Sequence, residues 1–337
     1  MIYDSLEFHN VAELYDDGLG GLRMQRVPEV VRCHLNEGAQ EKVLAAAATE
    51  IRFVTSGDRI RITLSSSSGN AELIPFYGPL QGKERFLIPS EPTTFDIVRP
   101  QNPKRRLDDL TESAFAFSPD VWRLTLRGPG VRYYGINGDG LCPPTKAQLP
   151  NLRYLCYGTS ITQGMAASAG HLTYAAQTAW RLQADLINLG LGGAAWCEQE
   201  LADYIAARDD WDFATLELSV NMLGAGFSDE VFQERTRYML DRLAQAYPDT
   251  PVFCITIFPH FRDFAEEPAV VEHSDQFRSI LGQVCAELGH PNLKLIDGSE
   301  LLSAPSGLTV DLLHPGDHGM IQIGEHLASK IQSMLFR

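Results

Sequence analysis

Long hydrophobic runs are missing from these 337 residues: no apolar stretch approaches the length of a membrane span, so a helical anchor is not expected. The amino terminus, Met1–Glu7, lacks a basic segment followed by an apolar core, and does not read as a secretory signal. Positive charge is scarce: 28 basic residues against 43 acidic ones leave a net charge of −15, which argues against nucleic acid or an anionic membrane as partner. The six cysteines (Cys33, Cys142, Cys156, Cys197, Cys254 and Cys285) form no C-x-x-C pair. Cys156 and Cys254 fall in apolar strand-like runs, where buried free thiols are expected, and a cytoplasmic protein fits that usage. No H-E-x-x-H motif, internal repeat or low-complexity tract is present. Metal, cofactor and repeat architectures are therefore not expected.

What is present changes rhythm once along the chain. From Glu50 the sequence shows short alternating segments at Glu50–Thr55, Arg59–Leu64, Glu72–Tyr77, Glu84–Ile88, Thr94–Val98, Val121–Leu126 and Val131–Ile136. Turn residues such as Ser56-Gly57-Asp58, Gly78-Pro79 and Gly128-Pro129-Gly130 separate them, predicting an antiparallel β-sandwich over 1–145. The polar stretch Pro100–Glu112, basic at Lys104-Arg105-Arg106, reads as an exposed loop. Cys142-Pro143-Pro144 through Pro150 reads as a linker.

Over 146–337 strand and helix alternate. Strands are expected at Leu152–Tyr157, Asp185–Leu189, Phe213–Leu218, Val252–Ile257 and Leu293–Ile296. Helices are expected at Thr173–Ala184, Glu198–Arg208, Asp229–Tyr247, Ser274–Leu288 and Asp317–Phe336. Apolar strands separated by helices predict a three-layer α/β/α domain on a parallel five-stranded sheet. Ser160, Gly193, Asn221 and Pro259-His260 each follow a predicted strand. They should converge on the carboxyl rim of that sheet, where such folds bind ligands.

Chemistry concentrates in three places. The loop Gly158-Thr159-Ser160-Ile161-Thr162-Gln163-Gly164 puts an exposed serine between a strand and a helix, with glycines that permit a tight turn. The same loop could instead cap the helix, or hold a phosphate or flavin. Asp311-Leu312-Leu313-His314, with Pro315 suited to open a helix, lets the aspartate fold back onto the imidazole three residues later. That contact would fix the ring's tautomer and leave the other nitrogen to take a serine proton. A metal site on His314 and His318 lacks a second ligand cluster. Gly190-Leu191-Gly192-Gly193 and Asn221 supply donors suited to a developing oxyanion, and the glycine run leaves its register open among Gly190, Gly192 and Gly193.

Taken together, Gly158-x-Ser160-Ile161-x-x-Gly164, a rim glycine, a rim asparagine and Asp311-x-x-His314 resemble the SGNH (GDSL-type) hydrolases across roughly the last 190 residues. The resemblance implies Ser160 as nucleophile, Asp311 and His314 as the rest of the triad, and Ser160, Gly193 and Asn221 as the oxyanion hole, with no cofactor. Two of the motif blocks depart from the family's pattern. Thr159 stands where aspartate is usual, and Ser219 and Met222 stand where glycine and aspartate are common. The amino-terminal part resembles the jelly-roll-like accessory domain of two-domain members, many of them carbohydrate O-acetyl esterases.

Trp196, Met222, Phe258 and His260 follow rim loops and are candidate substrate contacts, with core packing as the alternative for each aromatic. The expected activity is hydrolysis of short-chain O-acyl esters, with O-acetyl groups on carbohydrates first among them. The substrate is then a small-molecule or oligosaccharide ester, and no nucleic acid or membrane partner is expected. Alternatives are acyl transfer to an alcohol by the same triad, or a carbohydrate- or phosphate-binding protein without catalysis. Assembly as a homo-oligomer is compatible with the sequence.

Overall fold

The computed structural model describes residues 1–100 and 116–335. The expected loop Pro100–Glu112 and the helix end at Phe336 fall largely or wholly outside them. The chain divides into two compact units, Met1–Arg32 with Glu41–Asn151 and Gln183–Asp185, and Cys33–Gln40 with Leu152–Leu182 and Leu186–Arg337. The main break thus follows Asn151 rather than residue 145, and each unit takes one short segment from the other's stretch of sequence.

The first unit contains β1 (Ile2–Tyr3), β2 (Leu6–His9), β3 (Glu13–Tyr15), β4 (Leu22–Gln25), β5 (Ala46–Phe53), β6 (Arg59–Ser66), β7 (Ala71–Tyr77), β8 (Leu80–Gln81), β9 (Phe86–Ile88), β10 (Thr93–Val98), β11 (Trp122–Gly128) and β12 (Val131–Gly138). They build two sheets, one in the order β1-β2-β5-β11-β7-β8 with β9 on β7, the other β10-β6-β12-β4-β3. The recorded pairs are antiparallel.

Alternation sets the inward face. In β6, Ile60, Ile62 and Leu64 are buried while Arg59 and Arg61 are exposed, and Phe95 and Ile97 of β10 lie opposite Ile62 and Ile60. Residues of both sheets share one apolar cluster, with Phe53 and Trp122 stacked at 5.7 Å. The sequence reading missed β1 to β4, whose segments are too short to show a period.

The second unit contains β13 (Leu152–Gly158), β14 (Ala184–Asn188), β15 (Phe213–Glu217), β16 (Val252–Ile255) and β17 (Leu293–Ile296), in the order β14-β13-β15-β16-β17 in a parallel sheet. Every residue of β14, β15 and β16 is buried, as expected of strands covered on both faces. Helix Tyr174–Leu182 packs against Asp317–Leu335, and Asp229–Ala246 lies between Gln199–Ala206 and Pro268–Leu288. Phe232 and Phe277 stack at 4.5 Å within that layer. The helix expected from Ser274 instead begins at Pro268, because proline at its first turn presets the backbone and needs no N–H partner. Among the described residues no helix is long and apolar enough to cross a membrane.

Candidate active site

Strand order places three loops side by side, because β13 lies between β14 and β15. The loop after β13 begins at Gly158, where a side chain would collide with Thr162 and with the Glu217 carboxylate, so only glycine fits. Thr159 caps the one-turn helix Ser160–Gln163, its hydroxyl accepting from the Ile161 N–H at 3.2 Å. Ser160, expected to be exposed, is only 6% exposed at the opening of that turn, since it lies against His314. The capping role considered for this loop belongs to Thr159, which leaves the Ser160 hydroxyl free for another partner.

That partner is His314. Its Nε2 lies 2.8 Å from Ser160 Oγ, across 154 positions of sequence. On the other side of the ring, Nδ1 lies 2.7 Å from Asp311 Oδ2. A carboxylate can only accept, so Nδ1 carries the proton and Nε2 accepts from the serine hydroxyl. Asp311 is itself fixed: Oδ1 accepts from Thr309 Oγ1, the Leu313 N–H and the His314 N–H, each at 2.9 Å. Partial burial works against its charge, but the bonds from the His314 ring, the two backbone amides and Thr309 outweigh it. They hold the Asp311 carboxyl well below the usual carboxylate range. The helix begins at Asp317 rather than at Pro315, which instead bridges to Leu308, and His314 sits on the non-helical backbone before it. His318 is exposed, and no metal-holding group of three or more ligands occurs among the described residues.

The glycine N–H groups of this run differ in whether they already have an acceptor. Gly190 donates to Asn188 Oδ1 at 2.8 Å, and Gly192 to Gln163 Oε1 at 2.7 Å. Gly193 is exposed at φ +76°, and its N–H has no recorded acceptor among the described residues. The Asn221 carboxamide oxygen accepts from the Ala195 N–H at 3.2 Å, tying Asn221 to the segment after Gly193 and turning its NH₂ outward from that bond. Asn36, from the short Cys33–Gln40 segment, steadies the same stretch by donating to Ala194 O at 3.2 Å and to Glu198 Oε1 at 2.9 Å. The structure thus brings the loops carrying Ser160, Gly193 and Asn221 to one rim of the sheet.

Sequence reasoning missed the group beneath the serine. Glu217 ends β15 fully buried, and its Oε2 accepts from the Thr159 N–H at 2.8 Å, Thr159 Oγ1 at 2.6 Å and Thr162 Oγ1 at 3.0 Å. An aspartate at 159 would set a second carboxylate against it, which accounts physically for the threonine. Ser219, the other departure, takes φ +104°, a backbone that costs a side-chain-bearing residue of order 1–3 kcal/mol. Glycine takes this conformation freely.

The four candidate substrate contacts separate. Trp196 is half-buried, its ring 5.2 Å from Phe227. Met222, Phe258 and His260 are 0%, 1% and 1% exposed, leaving no surface for a substrate. Phe258 packs edge-on to Tyr174 at 6.1 Å, and His260 Nδ1 lies 3.3 Å from Asp263. For these three the packing alternative describes what the side chains do.

Residues 156–320 match the GDSL-like lipase/acylhydrolase family. No curated protein matches the chain by sequence. Among solved structures, the salicylyl-acyltransferase SsfX3 from a tetracycline biosynthetic pathway superposes with TM-score 0.78 at 15% identity, over 98% of this chain and 95% of its own. A GDSL-like lipase from Bacteroides ovatus gives TM-score 0.74 at 19% identity, over 98% of this chain and 96% of its own. A family two carbohydrate esterase from Cellvibrio japonicus gives 0.67 at 12% identity, covering 98% of this chain and 96% of its own. At these identities the likeness concerns fold, and it extends over both units. Within the second unit, residues 156–320 are thus similar to GDSL-like lipases and acylhydrolases.

Proposed function

We propose that the protein is a serine esterase that removes short acyl groups, foremost O-acetyl groups on carbohydrates, through an acyl-serine intermediate. The single observation carrying this reading is the continuous chain Ser160 Oγ, His314, Asp311, with contacts of 2.8 Å and 2.7 Å. Ser160 attacks the ester carbonyl as His314 Nε2 takes its proton, and Asp311 stabilises the imidazolium that forms. Negative charge moves onto the carbonyl oxygen, where the Ser160 N–H, Gly193 N–H and Asn221 NH₂ receive it. Collapse expels the alcohol, which regains the proton from His314. Water, deprotonated by the same ring, then cleaves the acyl-serine. No step calls for a metal or organic cofactor.

The carbohydrate alcohol is suggested by esterases of similar fold and by the half-buried Trp196 beside Phe227, an aromatic pair that suits a sugar face. The scattered cysteines, with no C-x-x-C pair in the sequence, are what support a cytoplasmic setting. Acyl transfer would use the same residues with an alcohol in place of water, and an acyltransferase shares the fold. Turnover of p-nitrophenyl esters of increasing chain length, with and without acetylated sugars or alcohol acceptors, tests both versions. Acetate and butyrate esters should be hydrolysed by the wild type and not by Ser160→Ala or His314→Ala, each falling by roughly 10³-fold or more. Full activity in Ser160→Ala would end the proposal.

A further inference from the structure

Resting on that reading, we propose that Glu217 is the positioning residue of the nucleophile loop, and that its ionisation tightens the loop and raises turnover. The geometry is specific. One carboxylate oxygen gathers three donors from the two residues flanking Ser160-Ile161: the Thr159 N–H, the Thr159 hydroxyl and the Thr162 hydroxyl, at 2.8, 2.6 and 3.0 Å. Each hydroxyl passes the constraint on. Thr159 Oγ1 accepts from the Ile161 N–H, and Thr162 Oγ1 accepts from the Tyr174 hydroxyl at 2.7 Å. Asn188 holds the same turn from the far side, donating to Thr162 O at 2.7 Å. The backbone bearing the nucleophile is thus held on one side by a single buried carboxyl and on the other by Asn188.

The second oxygen, Oε1, is buried with no hydrogen-bond partner. A carboxylate in that state is half-satisfied, and no salt bridge to it is recorded among the described residues. Burial raises its pKa and the Thr159 and Thr162 bonds draw it partly back, leaving it at about 7. The titratable groups facing it are Tyr157 on β13, Tyr174 on the following helix and Cys197 beyond the glycine loop, and burial raises the pKa of all three. They stay neutral through the range in which Glu217 titrates. When Glu217 loses its proton, the three bonds to Oε2 become charge-assisted and shorten the reach of the loop.

The sign of the stability effect runs the other way. The folded-state pKa lies above the ordinary 4.5, so the folded protein holds this proton more tightly than the unfolded chain. Its contribution is fully present below about 4.5 and is lost as pH rises through about 7. Turnover gains from the same ionisation that weakens the fold.

The test pairs Glu217→Gln with Thr159→Ser and Thr159→Val, measuring kcat, KM and Tm across pH. Glu217→Gln should lower kcat by about 10- to 100-fold with little change in KM, since small misplacement of a reacting group costs that much. The wild-type to variant ratio of kcat should rise between about pH 6 and pH 8, while the wild-type advantage in Tm falls over the same window. Thr159→Ser should keep the wild-type profile and Thr159→Val should lose it, which separates positioning from simple packing. A flat kcat ratio, or a Tm difference independent of pH, would overturn the proposal. The Tm arm needs no turnover, so an inactive wild type would sink the esterase reading while the Glu217 titration was still read.

Discussion

Two carboxylates of the second unit serve one serine and are held in opposite ways. Asp311 stands at an exposed turn, its side chain about half accessible, and four donors from its own neighbourhood of sequence keep it ionised. Glu217 is sealed inside the sheet, one oxygen crowded with donors and the other with none, its pKa pushed up to about 7. The exposed acid orients the base and is fixed locally. The buried acid orients the nucleophile and is fixed by tertiary packing. Removing the first should damage chemistry and spare the fold; removing the second should damage both.

Of the two carboxylates, Asp311 should have the larger effect on rate, read from Asp311→Asn. Its amide would present a donor to His314 Nδ1, favour the wrong tautomer and lower kcat by roughly 10³- to 10⁴-fold, with Tm nearly unchanged. A fall of less than tenfold would break the assignment. Glu217→Ala should be the largest effect on stability, a loss of about 3 kcal/mol by urea unfolding, because three buried donors lose their acceptor. An unchanged midpoint would mean that water or repacking satisfies them.

Thr159→Asp sharpens the contrast by bringing a second carboxylate to the buried site. It should destabilise by about 2 kcal/mol, more at pH 8 than at pH 5, since like charges at close range oppose joint ionisation. Ser219→Gly should do the reverse and stabilise by about 1 kcal/mol, relieving the positive-φ backbone between Glu217 and Asn221. A destabilised glycine variant would show that the Ser219 hydroxyl contributes more than the strain costs.

The same contrast explains what could be read from sequence. Asp311 and His314 are three residues apart, so their pairing is a local matter that spacing reveals. Ser160 is marked by its place between an apolar strand and a helix, with Gly158 and Gly164 around it. The parallel sheet follows from the apolar runs, and its five strands fall within a few residues of expectation.

Glu217 was passed over because Phe213–Leu218 reads as a uniform buried strand. Its one signal was that an acid occupied a position the fold must bury, and burying it requires partners that only tertiary structure supplies. Gly193 could be distinguished from Gly190 and Gly192 only by seeing which amides were already engaged. Met222, Phe258 and His260 sit where a strand passes into a loop. There the direction of a side chain depends on backbone angles that composition does not encode.

The most direct test of the serine assignment is covalent labelling with a fluorophosphonate followed by peptide mass analysis. The account predicts one adduct, on Ser160, formed by the wild type and lost in His314→Ala, because the base 2.8 Å away is what makes that hydroxyl nucleophilic. An adduct on a different serine, or labelling of Ser160 undiminished without His314, would contradict it.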